Sequence, residues 1–176
     1  MIMPPGKHLL LPANPLFIWT SLVAAILGNM LLSMSGLGRA AWVPDLLALT
    51  LVFWNVHQPL RVGIGAAFVF GLIMDVQQTT LLGQHALAYV VLSYWAVSIH
   101  RRLLWFPVFT QTGHVLPLFA LAQALVIAVR FAGGAGWPAW SSLLAPVCTA
   151  VLWPLATAVL LAPQRRPPDP DKHRPL

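Results

Sequence analysis

The chain has 176 residues, of which 59% are hydrophobic and only 8% charged, with a mean hydropathy of +0.78 and a net charge of +6. Soluble domains carry about a quarter charged residues, so this chain lacks the polar surface to cover a water-soluble core and the bilayer is its expected solvent. Its basic residues sit at the ends of apolar runs rather than along one stripe, which argues against nucleic acid, and the single cysteine, Cys148, excludes an intrachain disulfide or a cysteine-rich metal site.

Six spans are predicted in chain order, making an all-α membrane domain over residues 1–162. The first covers about 16–34. Lys7 is the only charge before it, and no small-residue cleavage site follows the apolar run, so it reads as a retained span rather than a signal peptide. The second covers about 41–56, with Pro44 expected in its first helical turn, where the missing N–H costs nothing. The third covers about 62–82 and the fourth about 85–99. Residues 103–109 are expected along the interface before Pro107 turns the chain inward into the fifth span, about 113–129. The sixth covers about 140–162. Pro146 and Pro154 are expected to kink it, with Thr149 or Thr157 covering the freed carbonyls, and Cys148 reads as a small buried apolar side chain. Residues 163–176 are Pro-rich and charged and are expected to form a disordered cytoplasmic tail.

Orientation follows from the ten basic residues. Lys7, Arg61, Arg101, Arg102, Arg165, Arg166, Lys172 and Arg174 fall on one side of the six spans, and Arg39 and Arg130 alone on the other. The excess marks the cytoplasmic face, so both termini are expected there. Trp19, Trp42, Trp54, Trp95, Trp105, Trp137 and Trp140 lie near predicted span ends, as an aromatic belt requires.

The four acidic residues are all aspartates. Asp169 and Asp171 lie in the tail, but Asp45 and Asp75 interrupt apolar runs. A carboxylate at the centre of a span costs about 2.5–3.5 kcal/mol on insertion scales, so each is expected to face the bundle interior, a wet cavity or a partner. Gly63, Ala67, Gly71 and Asp75 recur every four residues and so share one slowly rotating helical face. Small residues at that spacing let a neighbouring backbone approach closely, so leucine at Gly71 is expected to do more damage than leucine at Ala86. Both carboxylates fall toward the outer side and are expected to share one region with Arg39 and His85.

Each of these residues has more than one reading. Asp45 suits the positive start of a helix, or a site. Asp75 suits a buried structural or partner contact, or a substrate or ion site. An internal contact would let asparagine at Asp75 keep much of the function, whereas leucine would not. His57 and His85 read as interfacial hydrogen-bonding groups. Within the apolar runs no histidine stands three or four residues from a carboxylate, so no metal is expected. GxSxG, HExxH and phosphate-loop motifs are absent, and Ser141 and Ser142 have no adjacent base, so neither an enzyme nor a cofactor is expected.

The motifs carry a resemblance. Pro59-x-Arg61-Val62-Gly63-x-Gly65, then Phe68, Gly71-Leu72-Ile73-Met74-Asp75, Leu82-Gly83 and Ala86-Leu87-Ala88 stand in an order and spacing that resembles the MreD family of rod shape-determining proteins. Pro44-Asp45 heading an apolar run, Trp54 at its end, and Val151-Leu152-Trp153-Pro154 in the last span fit as well. The match is strongest across about residues 43–100. The resemblance implies a non-enzymatic inner-membrane component of the bacterial elongation complex, similar in fold to the substrate-binding subunits of energy-coupling-factor transporters. It implies an MreC-like bitopic partner, and work alongside MreB, a RodA-type polymerase and a penicillin-binding transpeptidase. Two other classes remain open: a small-molecule-binding subunit of such a transporter, which should co-purify with a ligand and an ATPase module, and an intramembrane enzyme using Asp75.

Overall fold

The computed structural model describes residues 14–35, 42–134, 136 and 138–164. Among these residues the regular elements are all helical: α1 (Pro15–Met34), α2 (Leu46–His57), α3 (Ile64–Gln77), α4 (Gln84–Leu103), α5 (Val108–Ala132), α6 (Ala145–Val151) and α7 (Trp153–Leu161). Two 3-10 turns, Trp140–Leu144 and Ala162–Gln164, bracket α6 and α7. Among the described residues three stretches are long and apolar enough to cross a membrane: α1, α5 and the composite Trp140–Gln164. The apolar helices α2 and α3 have only 12 and 14 residues, about 20 Å at 1.5 Å per residue. Helix α4 has 20 residues but finishes on His100, Arg101 and Arg102.

Side chains and prolines set the helix ends. Asn14 caps α1 by accepting from Leu16 N at 3.0 Å, with Pro15 preset for the first helical position. Asp45 is the N-cap of α2, and Pro59 follows its C-cap Gln58, where the chain cannot continue as helix. Between α3 and α4 the chain turns through Thr79 at φ 51° and Gly83 at φ 98°. The second of these suits glycine, which reaches left-handed backbone without a Cβ penalty. Pro107 precedes α5, and Gly133 and Gly134 close it.

Helix α2 is the axis of the bundle. All ten residues from Leu47 to Val56 are buried, so it is covered on every side. A helix apolar all round is the kind that others enclose, and α2 packs on α1, α4, α6 and α7. The outer surface is apolar in its turn: on α1, Leu16, Leu31 and Met34 are exposed by 71%, 66% and 74%. Water does not accommodate such a continuous apolar surface, and lipid does.

Several expectations change in detail. Trp54 is fully buried rather than part of an aromatic belt, because its ring fills the core and its Nε1–H donates to Ser21 Oγ at 2.8 Å. Trp19, Trp42, Trp95, Trp105 and Trp140 are exposed, while Trp137 lies outside the described residues. Pro44 stands before the N-cap of α2, outside the helix it was expected to begin. Pro146 kinks nothing, since it occupies the first turn of α6. The break falls instead at Leu152, ahead of Pro154 in the first turn of α7. Thr149 and Thr157 donate to Ala145 O and Trp153 O, each 2.8 Å away; these are their own i−4 carbonyls. Cys148 is only partly buried. Pro163 and Gln164 of the predicted tail form the last 3-10 turn, with Gln164 buried, and the rest of that segment lies outside the described residues.

Candidate functional site

Asp45 joins four parts of the bundle. Its Oδ1 accepts from Leu47 N and Ala48 N at 3.0 Å each, the ordinary work of an N-cap, and also from Asn29 Nδ2 of α1 at 2.9 Å. Its Oδ2 accepts from the Tyr89 hydroxyl of α4 at 2.5 Å. The backbone N–H of Asp45 donates to Thr149 Oγ1 of α6 at 3.0 Å, and Leu46 N donates to Asn29 Oδ1 at 2.9 Å. Both oxygens of this carboxylate are therefore engaged, Oδ1 three times by α1 and α2 and Oδ2 once by α4. Charge-assisted bonds of this kind are about twice as strong as neutral ones.

Asp75 is fully buried near the end of α3 and caps a helix other than its own. The N-cap of α4 is Gly83, which has no side chain to offer. Asp75 supplies the missing acceptor: Oδ2 accepts from Gly83 N at 2.9 Å and Ala86 N at 3.4 Å, and Oδ1 from His85 N at 2.8 Å. The His85 ring adds a fourth contact, with Nδ1 2.8 Å from Oδ1, and Thr80 Oγ1 a fifth at 3.2 Å. The negative charge faces the positive end of α4, where backbone N–H groups otherwise lack partners.

The backbones of α3 and α4 also meet. A Cβ built on Gly71 would lie 2.7 Å from Ala86 N and closer still to Ala86 Cα. Real Cβ atoms do not approach backbone so closely, so only glycine fits. Ala67 and Gly71 are buried on this side of α3. Gly63 is not part of the contact: it is the N-cap of α3, and a Cβ there meets nothing within 4 Å. The comparison drawn from sequence between Gly71 and Ala86 also needs correction. Ala86 is the residue on which Gly71 rests and is itself fully buried, so both positions are closed to larger side chains.

The two carboxylates do not touch. They are linked through His85 and Tyr89, neighbours on one face of α4 whose ring centroids are 5.9 Å apart. Around them opens a cavity of about 590 Å³, reached by Asn29, Asp45, His85, Gln77, Gln123 and Arg130 among others. The structure thus brings Asp45 and His85 to one cavity, with Asp75 behind the wall. Arg39 lies outside the described residues. Of the motif residues, Pro59 and the exposed Arg61 lie in the α2–α3 connection. Trp153 is fully buried and donates from Nε1 to Gln111 Oε1 at 3.0 Å. Among the described residues no group of three or more His, Cys or Asp is placed to hold a metal ion.

Sequence reasoning missed Asn29, Tyr89 and Gln123, and gave Thr149 only a carbonyl to cover, not the Asp45 N–H. Two signals were available. Asn29 is a lone amide in an apolar span, which demands a partner as a carboxylate does. Tyr89 stands four residues after His85, and so on the same helical face.

The fold and site define a helical membrane protein whose internal carboxylates tie helix ends together at one end of a bundle. The family model for the rod shape-determining protein MreD matches residues 13–161. The rod shape-determining protein MreD of Haemophilus influenzae is 28% identical over 116 residues, which cover 63% of this chain and 68% of that one. No solved structure matches. The chain belongs to the MreD family of rod shape-determining proteins.

Proposed function

We propose that this protein serves rod-shape determination as a non-enzymatic scaffold of the inner membrane, crossing it six times with both termini in the cytoplasm. It binds an MreC-like bitopic protein by lateral helix packing and so positions or regulates the peptidoglycan synthases. MreB, a RodA-type polymerase and a penicillin-binding transpeptidase are the expected company. One observation carries the non-catalytic reading. Both intramembrane carboxylates are engaged by the protein's own donors, five on Asp75 and four on Asp45. A general base or nucleophile needs a free lone pair aimed at a substrate, and these have been committed to helix ends. The exposed apolar side chains of α1 and α3, Leu27, Met30, Phe68 and Ile73 among them, offer surface for a lateral partner.

The test is affinity purification of the tagged full-length chain from a rod-shaped host. Recovery of the MreC-like protein at near-stoichiometric yield is expected. Recovery of an ATPase module with a bound small molecule, and no bitopic protein, would replace this reading with the transporter one. The cavity of about 590 Å³ is the observation that favours that second reading.

A further inference from the structure

The cavity holds polar groups that neither the bundle nor the scaffold role accounts for. Its carboxylate, Asp45, already accepts four hydrogen bonds from the protein, which leaves little of it for a cation. What remains is of another kind. Ser142, only 8% exposed, lines the cavity, and its Oγ has no hydrogen-bond partner among the described residues. The same is true of Gln77 Oε1, an acceptor only, on the facing wall from α3. Buried polar atoms are normally paired; these two are sealed as placed, but their residues line the cavity, and a turn of either side chain would bring it a partner there. At the rim stands Arg130, exposed and without an ion-pair partner among the described residues. The demand is therefore for a hydroxyl donor deep in the cavity and an anion at its mouth.

A second space adjoins the first. An apolar groove of about 480 Å³ runs between α5 and α6, lined by Leu116, Ala120, Ile127, Phe131, Leu143 and Val147. Gln123 lines both spaces, from the cavity side and from the groove side. Its Nε2 donates to Ser142 O at 3.3 Å, a long bond across the seam between them. Polar cavity, cation at the rim and apolar groove follow one another as the parts of an amphiphile do.

We propose that cavity and groove together bind one anionic phospholipid with a hydroxylated head, of the phosphatidylglycerol type. A head hydroxyl donates to Gln77 Oε1, another exchanges hydrogen bonds with Ser142 Oγ, the phosphodiester pairs with Arg130, and an acyl chain lies along the groove. Arg130 suits the phosphate because its planar donors match two oxygens at once. A choline head has no hydroxyl to offer and brings a cation toward Arg130, so it is selected against. This inference goes beyond the scaffold reading and stands whichever protein partner is found.

Native mass spectrometry of the full-length protein tests it with three probes: dioleoyl phosphatidylglycerol, dioleoyl phosphatidylcholine and soluble glycerol 3-phosphate. One phosphatidylglycerol is expected to bind about tenfold more tightly than phosphatidylcholine, the scale of one or two hydrogen bonds that only its head hydroxyls can make. Arg130→Gln should weaken both lipids, whose phosphodiester is the same, and Ser142→Val should reduce the preference between them. Val147→Trp, which fills the groove, should weaken both lipids alike. Melting temperatures of the variants, measured in parallel, separate loss of the site from loss of the fold, since Arg130 also faces the C-terminal dipole of α5. Equal affinity for the two lipids would overturn the head-group assignment. Glycerol 3-phosphate binding as tightly as the lipid, or a Val147→Trp variant that binds like wild type, would overturn the groove.

Discussion

Replacing Asp75 removes the acceptor that caps α4, and the geometry sets the size of the effect. Asp75→Leu leaves Gly83 N–H, His85 N–H and the His85 ring nitrogen without their partner at 2.8–2.9 Å. A buried donor left unpaired costs roughly 1–3 kcal/mol, so three of them set a floor of about 3 kcal/mol. Rearrangement of the first turn limits the rise above that floor, since ordinary N-cap deletions cost about 0.5–2 kcal/mol. We therefore expect a loss of about 3–4 kcal/mol, large against the marginal stability of a folded chain. Asp75→Asn falls between. Each carboxylate oxygen accepts a backbone N–H, Oδ1 from His85 and Oδ2 from Gly83. Either orientation of the amide sets its NH2 against one of them, leaving one donor pair opposed at a cost of roughly 1–3 kcal/mol. Thermal melting in detergent, followed by size-exclusion fluorescence, should rank wild type above Asp75→Asn and that above Asp75→Leu. Rod shape in a complementation assay, at protein levels matched by blot, should follow the same order. Two results would refute the reasoning. Asp75→Leu melting like wild type would show that α4 needs no cap. Asp75→Asn melting like wild type yet failing in shape would assign Asp75 to proton or ion chemistry.

Further outcomes follow from the same contacts. Gly71→Leu and Ala86→Leu should both abolish a monodisperse purified protein, because the first drives a side chain into the Ala86 backbone and Ala86 is itself fully buried, whereas Gly63→Leu should purify normally. Tyr89→Phe removes the 2.5 Å bond to Asp45 Oδ2 and should cost about 1.5–3 kcal/mol in chemical or thermal unfolding, the range for a bond to a charged group. Asn29→Leu should cost at least as much, since it strips both Asp45 and Leu46 of a partner. Reporter fusions after Leu176 and in the loop after Gly134 should report opposite sides of the membrane; signals from the same side would end the six-span arrangement.

How much of this was legible depended on whether a residue's partner was local. The helical class and the two carboxylates stood out because a charge in an apolar run is conspicuous by itself. The small-residue face led to Gly71, where spacing alone implies close approach. Gly63 shares that spacing but precedes the helix, and only the start of α3 could exclude it. The nature of Asp75 was out of reach, since its donors belong to the next helix and to a glycine turn with a left-handed residue. Trp54 shows the same limit from the other side: position near a span end suggested an interface, while burial by neighbouring helices decided otherwise. Asn29 and Thr149 are distant in sequence from Asp45, by 16 and 104 residues, and no periodicity could have joined them.

The cap that α3 supplies to α4 has a consequence for how the chain is made. Synthesis delivers Asp75 before Gly83, His85 and Ala86, which supply its backbone and ring donors. Until those residues emerge, α3 carries an unpartnered carboxylate, and an apolar phase resists such a helix. Once they arrive, charge and helix start satisfy each other, and the glycine contact at Gly71 lets the two backbones close. Neither helix is acceptable alone in the way the pair is. The α3–α4 hairpin is thus the smallest piece of this protein in which that charge is satisfied, and a truncation between Asp75 and Ala86 would leave it unpaired.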